Sequence, residues 1–424
     1  MKIEIKNGRL IDPARQHDAK ATLYIDAGKI AAIDKAPSGF KADKIIDAAG
    51  KIVCPGLVDL SARLREPGFE YKATLESELQ AAVAGGVTSL VCPPDTDPPL
   101  DEPALVEMLI RRAAMLHQSH VYPLGALTLG LKGEKLTEMV ELTEAGCIGF
   151  FQAEHAITDT NVLYRAMQYA ATWGYTVWLR PQDAFLAQDG IAHDGEVATR
   201  LGLAGIPATA ETVAIGAIVT LMQDTGARVH LARLSSAAGV ALVREAKAKK
   251  LPLTADVCVH HLLLTDRDIG HFDPQYRFSP PLRSPADRDA LSRGVIDGVI
   301  DAICSDHTPL DEDEKNVPFG EAASGASGLE TLLPLTLKWA EGAGVKVPFA
   351  LQKISSDPAR LLGIAGGRLE VGAPADVIVF DPTAFRAIAA DTLMSQGKNT
   401  PWLRRELQGR VIHTLVDGKI VFSA

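Results

Sequence analysis

From Lys2 to about Val53, apolar and polar residues alternate in short runs broken at Asn7-Gly8, Ala27-Gly28 and Ala49-Gly50, a pattern that predicts a small β-meander. Strand-like runs return at Ala375 to Phe380, Val411 to Val416 and Lys419 to Phe422, with turns at Pro382 and Asp417-Gly418, so the two ends of the chain are expected to pair in one small sheet domain. Between them, apolar runs alternate with helical stretches: Leu57 to Leu60, Thr88 to Cys92, Val121 to Gly125, Gly146 to Phe150, Thr176 to Leu179, Arg228 to Leu231, Leu253 to Val257 and Asp301 to Cys304. Strands buried on both faces read as continuous apolar runs, and eight of them interleaved with helices predict an α/β fold, a (β/α)8 barrel with its chemistry at the C-terminal strand ends. The expected division is 1–54 and 365–424 for a small β-sandwich built from both termini, and 55–364 for the barrel.

Composition narrows the function classes. The 424 residues are 47% hydrophobic, enough for a large core, and the mixed charges sum to −10, which argues against nucleic acid or an anionic membrane as partner. No membrane-spanning run is expected, since even Ile206 to Met222 carries Glu211. The strand-like start MKIEIKNGRLID does not resemble a secretory signal, and a cytoplasmic location follows as the expectation. Cys54, Cys92, Cys147, Cys258 and Cys304 are widely spaced in apolar runs, the pattern of reduced core residues. The stretch Asp311 to Ser327, acidic and then rich in Gly, Ala and Ser, is expected to form a long solvated loop.

The strand ends carry the chemistry-bearing residues. The segment Asp59-Leu60-Ser61-Ala62-Arg63-Leu64-Arg65-Glu66-Pro67-Gly68 resembles the D-x-H-x-H-L-R-E-P-G signature of dihydroorotases and related cyclic amidohydrolases. Further matches follow at Pro94 to Asp101, Leu201 to Glu211, Pro280 to Arg283, Ser305 to Pro309 and Gly325 to Thr331. The resemblance implies a barrel of the metal-dependent amidohydrolase type. In that family one or two zinc ions activate the water that interconverts dihydroorotate and N-carbamoyl-aspartate, zinc lowering the pKa of its water to about 7.

Against that pattern the ligand positions are changed. The two histidines of H-x-H, which would project to one face of a strand, are Ser61 and Arg63. The histidine of the fifth strand corresponds to Arg180, and that of the sixth to Arg233, while Asp306 after the eighth strand is retained beside His307. The bridging ligand falls near Phe151-Gln152-Ala153-Glu154, where the register is open. Of the substrate-binding positions that the family implies, Arg65 remains, but Asp95 and Ser279 stand where asparagines are usual and Leu310 where a histidine is usual.

Three fixed positive charges repel a dication. Arg63, Arg180 and Arg233 are therefore expected either to form an anion-binding pocket or, as the default, a salt-bridged plug with Asp59, Asp95 and Asp306. Asp306 and His307 are expected to be vestigial, and His230, His260 and His261 to be packing residues. The expectation is a chain without a cofactor, zinc entering only if an atypical site built on Asp306, His307 and His155 or Glu154 is active. The resemblance extends to non-catalytic dihydroorotase-like chains that associate with the catalytic chain of aspartate transcarbamoylase in pyrimidine (UMP) biosynthesis. This makes a structural or assembly subunit, homodimeric as many such proteins are, the first functional expectation. An active cyclic amidohydrolase and an anion sensor are the alternatives.

Overall fold

In the computed structural model, which describes all 424 residues, eight parallel strands form a barrel. They are Leu57–Asp59, Val87–Cys92, His120–Pro123 continued by Gly125–Ala126, Phe150–Phe151, Thr176–Leu179, Arg228–Leu231, Leu253–Cys258 and Ala302–Cys304. The fourth is shorter and later than the apolar run Gly146 to Phe150 suggests. The third is divided, its first part pairing with the second strand and its second part with the fourth. The seam between strands one and eight closes just beyond both, where His307 N–H donates to the Ser61 carbonyl at 3.0 Å and Arg63 N–H to the His307 carbonyl at 2.9 Å.

Apolar side chains fill the barrel interior, among them Leu60, Val91, Phe151, Trp178, Cys258 and Cys304, and a larger core lies between strands and surrounding helices. The helices start where the sequence offers caps. Thr74 accepts from Ser77 N–H ahead of Leu75–Ala84, and Ser284 from Asp287 N–H ahead of Pro285–Ile296. All five cysteines are free and buried, and burial pushes the Cys92 and Cys147 thiols up to about 12.

Both termini build the second unit, but not as a meander. One sheet runs in the order Lys29–Ile33, Leu23–Asp26, Ile3–Lys6, Lys44–Asp47, and the other in the order Lys419–Ser423, Glu406–Val416, Val377–Ala387, Ile52–Pro55, Arg9–Asp12, His17–Lys20. Ile3–Lys6 pairs in parallel with Lys44–Asp47, and Arg9–Asp12 in parallel with Ile52–Pro55. Alternation fixes which face each strand buries but not its neighbour. A core of 15 buried residues, including Ile3, Ile25, Val53, Val377 and Leu415, closes the sandwich.

The acidic loop is only partly solvated: Glu312 and Asp313 are exposed, whereas Glu314 pairs with Lys72 at 2.6 Å. Gly68, the last residue of the first strand-end motif, has φ +95°, and a Cβ there would stand 2.1 Å from the Asp97 carbonyl oxygen, so only glycine fits. No helix is long and apolar enough to cross a membrane.

Candidate functional site at the barrel mouth

The C-terminal strand ends converge on a network of three arginines and three carboxylates. Arg63 donates from Nε to Asp95 Oδ2 at 2.7 Å, from Nη1 to Asp306 Oδ1 at 3.1 Å and Thr308 Oγ1 at 2.9 Å, and from Nη2 to Glu154 Oε1 at 2.8 Å. Arg233, 2% exposed, donates from Nη1 to Asp306 Oδ1 at 2.8 Å and from Nη2 to Glu154 Oε1. Arg180 Nε lies 2.6 Å from Glu154 Oε2, an ion pair not aligned as a hydrogen bond, and Nη1 donates to Gln182 at 2.5 Å. Three guanidiniums against three carboxylates leave the cluster formally neutral, and that compensation is what permits so many charges at a barrel mouth.

Glu154 is the hub. Burial alone would raise its pKa, but Arg180, Arg233 and Arg63 outweigh this and hold it well below the usual carboxylate range. Burial pushes the Asp306 carboxyl upward against the pull of Arg233 and Arg63. Burial would likewise lower the pKa of Arg63, but Asp95, Asp306 and Glu154 raise it instead. Arg65, Ala153, Arg233 and Asp306 have φ of 65°, 52°, 60° and 49°, a left-handed backbone that non-glycine residues adopt rarely and that clusters where a framework holds strand ends for a purpose.

Other expected site residues serve the framework. Asp59 does not join the arginines; it accepts from Ser305 N–H at 2.8 Å and from the Ser305 hydroxyl, and burial raises its pKa to about 6. Its place among the carboxylates is taken by Glu154, from the segment 151–154 whose register the sequence leaves open. Gln152 turns away, accepting from Thr128 Oγ1 and donating to the Leu131 carbonyl. Ser61 donates to Asp306 Oδ1 at 3.3 Å, and Ser279 to Glu154 Oε2 at 3.2 Å. Arg65 donates to the Pro309 carbonyl at 2.9 Å, and Leu310 is buried, its N–H donating to Asn399.

The histidines are committed elsewhere. His307 Nδ1 accepts from Gly328 N–H at 3.0 Å, so Nε2 carries the proton and donates to Glu78 Oε2 at 2.6 Å; the ring belongs to the seam and is not a partner of Asp306. His230 lies between Asp256 Oδ2 and Thr254 Oγ1, each at 2.8 Å. His260 accepts from Trp402 Nε1 at 3.0 Å and His261 donates to the Pro280 carbonyl at 3.0 Å, and burial lowers their pKa values to about 3 and about 4.

A zinc ion does not fit this mouth. No imidazole joins the network, and both oxygens of Glu154 and Oδ1 of Asp306 are engaged by guanidiniums. Other residues of the motif segments support the strand ends. Glu211 accepts from the N–H groups of Ser235 and Ser236 at 2.9 and 3.0 Å, and Arg283 donates to Ser235 Oγ at 2.8 Å. The acceptor Ser235 stands two residues beyond Arg233.

At the opposite end of the barrel the structure gathers a group that sequence reading missed. Nitrogen and oxygen atoms of His120, Asp376 and Asp417 lie within 4.8 Å of one another. The residues are remote in sequence and meet only where barrel and sandwich touch, so no local signal could have found them.

A family profile described as dihydro-orotase-like matches residues 50–238, and one described as amidohydrolase family matches residues 186–422. The chain is 46% identical over 420 residues to a dihydroorotase-like protein of Pseudomonas aeruginosa, covering 99% of both chains. It is 40% identical over 422 residues to a dihydroorotase of Syntrophotalea carbinolica, covering 100% of this chain and 99% of that one. Among solved structures it resembles the L-hydantoinase (dihydropyrimidinase) of Arthrobacter aurescens, with TM-score 0.88, 23% identity and coverage of 99% and 96%, a likeness of fold. The match to amidohydrolases, together with a His/Asp/Asp group able to hold a metal ion, overturns the expectation of a chain without a cofactor. That expectation rested on the barrel mouth alone, whereas the metal-capable residues lie elsewhere.

Proposed function

The chain belongs to the dihydroorotase-like family of amidohydrolases, and from that premise we propose that it is a non-catalytic member, a structural or assembly subunit for the catalytic chain of aspartate transcarbamoylase in pyrimidine biosynthesis. The observation that carries this reading is the neutral plug of Arg63, Arg180 and Arg233 with Glu154, Asp306 and Asp95. Ring opening of dihydroorotate needs a hydroxide-equivalent nucleophile at this mouth, and the groups that would bind and activate its metal are engaged by arginine. The relative at 46% identity is itself named dihydroorotase-like. The buried contacts of Glu211, Ser235, Arg283 and His307 hold the strand ends in place without any metal, so the barrel stands as a framework. Homodimerisation and a cytoplasmic setting go with this proposal.

The name dihydroorotase borne by the relative at 40% identity favours a second reading, an active enzyme with atypical ligands. It would require Glu154 and Asp306 to exchange arginine partners for a metal. The third, an anion sensor, is disfavoured because the arginines are already paired. The cavity reaching Arg180 is also only ≈ 140 Å³, against roughly 300 Å³ for the smaller ligand sites.

The test is ring opening of dihydroorotate by the purified full-length chain with added zinc, beside an intact dihydroorotase, with and without aspartate transcarbamoylase, and with co-elution of the two chains measured in parallel. The expected result is no turnover by the chain alone and a stable complex with the transferase. Turnover by the chain alone would overturn the non-catalytic reading, and separate elution would overturn the assembly role.

A further inference from the structure

We propose that His120, Asp376 and Asp417 form a structural site for a zinc-class divalent cation that ties the base of the barrel to the β-sandwich. His120 opens the third barrel strand at its N-terminal end, Asp376 directly precedes Val377–Ala387, and Asp417 lies in the turn between Glu406–Val416 and Lys419–Ser423. Their backbones are held before any ion enters. His120 is in register with Ser89, Gly56 N–H donates to the Asp376 carbonyl at 2.9 Å, and Gly418 N–H donates to the Ala375 carbonyl at 3.0 Å.

The Asp376 side chain is oriented as well. Asp376 is buried, and its Oδ1 accepts from Asp417 N–H at 2.9 Å, which turns Oδ2 toward the imidazole. His120 Nε2 lies 3.3 Å from Asp376 Oδ2 and 3.9 Å from Asp417 Oδ2. Both separations exceed the 2.7–2.9 Å or so of a charge-assisted hydrogen bond. They bracket the spacing of about 3.4 Å that two ligands take on a tetrahedral zinc with bonds near 2.1 Å. One imidazole nitrogen and two carboxylate oxygens are a donor set for zinc, cobalt or manganese rather than for calcium or magnesium.

The two carboxylates carry a charge of −2 when His120 is neutral, which a dication cancels. Asp417 is more than half exposed and borders a groove lined by His117, Gln118 and Lys419, so water can complete the coordination. The site lies at the face of the barrel where conserved architecture serves stability and not chemistry. A cation here cross-links the two units and contributes nothing to ring opening. The inference is therefore independent of the plug.

The experiment is a zinc chloride titration of the full-length chain after chelator treatment, read by calorimetry and by thermal unfolding. One zinc per chain is expected, with a rise in Tm at saturation. Asp417→Asn should weaken binding about tenfold or more, and His120→Gln should abolish both binding and the Tm rise. Asp417 is exposed, so its variant keeps the test decisive if the His120 variant fails to fold. Absence of binding, or unchanged affinity in Asp417→Asn, would overturn the site. A wild-type Tm that responds to pH but not to zinc would overturn it too, assigning the group to a His120–Asp376 ion pair.

Discussion

Two residues decide what the barrel mouth is. Arginine at positions 63 and 233 brings two fixed positive charges to the strand ends, and Glu154 and Asp306 answer with the opposite charge. Removing one member strands the others, and breaking a buried ion pair costs about 3–5 kcal/mol. Asp306→Asn is therefore expected to lower unfolding stability in urea by that order. Adding Arg233→Met should restore part of the loss, because Arg63 and Arg180 are then balanced again by Glu154 and Asp95. Equal and additive losses in the two single variants and the double would show that no coupled network exists.

Elements meet at the seam. Strands one and eight are too short to close the barrel by ladder bonds alone, and Asp59 joins them by accepting twice from Ser305. Its folded pKa of about 6 stands above the ordinary carboxylate value, so the folded state holds this proton longer than the unfolded state does. The resulting stability is complete below about pH 4, declines as pH rises through about 6, and then levels off, a span of roughly 2–3 kcal/mol. Glu154 and Glu78, whose pKa values are lowered, act in the opposite sense and only at more acid pH. The difference in urea stability between wild type and Asp59→Asn, measured from pH 4 to pH 7, should fall within that window. A flat difference would remove Asp59 from the pH response.

At the scale of the molecule, barrel and sandwich are not separable. Thr414 Oγ1 donates to the Val83 carbonyl of a barrel helix at 2.7 Å, and Glu406–Val416 covers Val377–Ala387 while the latter pairs with Ile52–Pro55 on its other side. Deleting residues 406–424 would expose Val377–Ala387 as an apolar edge. The expected outcome is loss of a cooperative thermal transition and association on size exclusion. A deleted chain that stays monomeric and unfolds cooperatively would show that the barrel stands without its terminal strands.

The chain's local pattern determined the eight barrel strands and their order, because strands buried on both faces leave continuous apolar runs between helical stretches. The motif spacing located the strand ends and the arginines that stand at them, since residue type and register are local properties. Partner choice needed three dimensions. The parallel pairings of the sandwich, the substitution of Glu154 for Asp59 among the arginines' partners, the turning of His307 to Glu78 and the meeting of His120 with Asp376 and Asp417 all join residues far apart in sequence. Alternation and spacing say which way a side chain points. Only the folded backbone decides which opposite charge lies within reach.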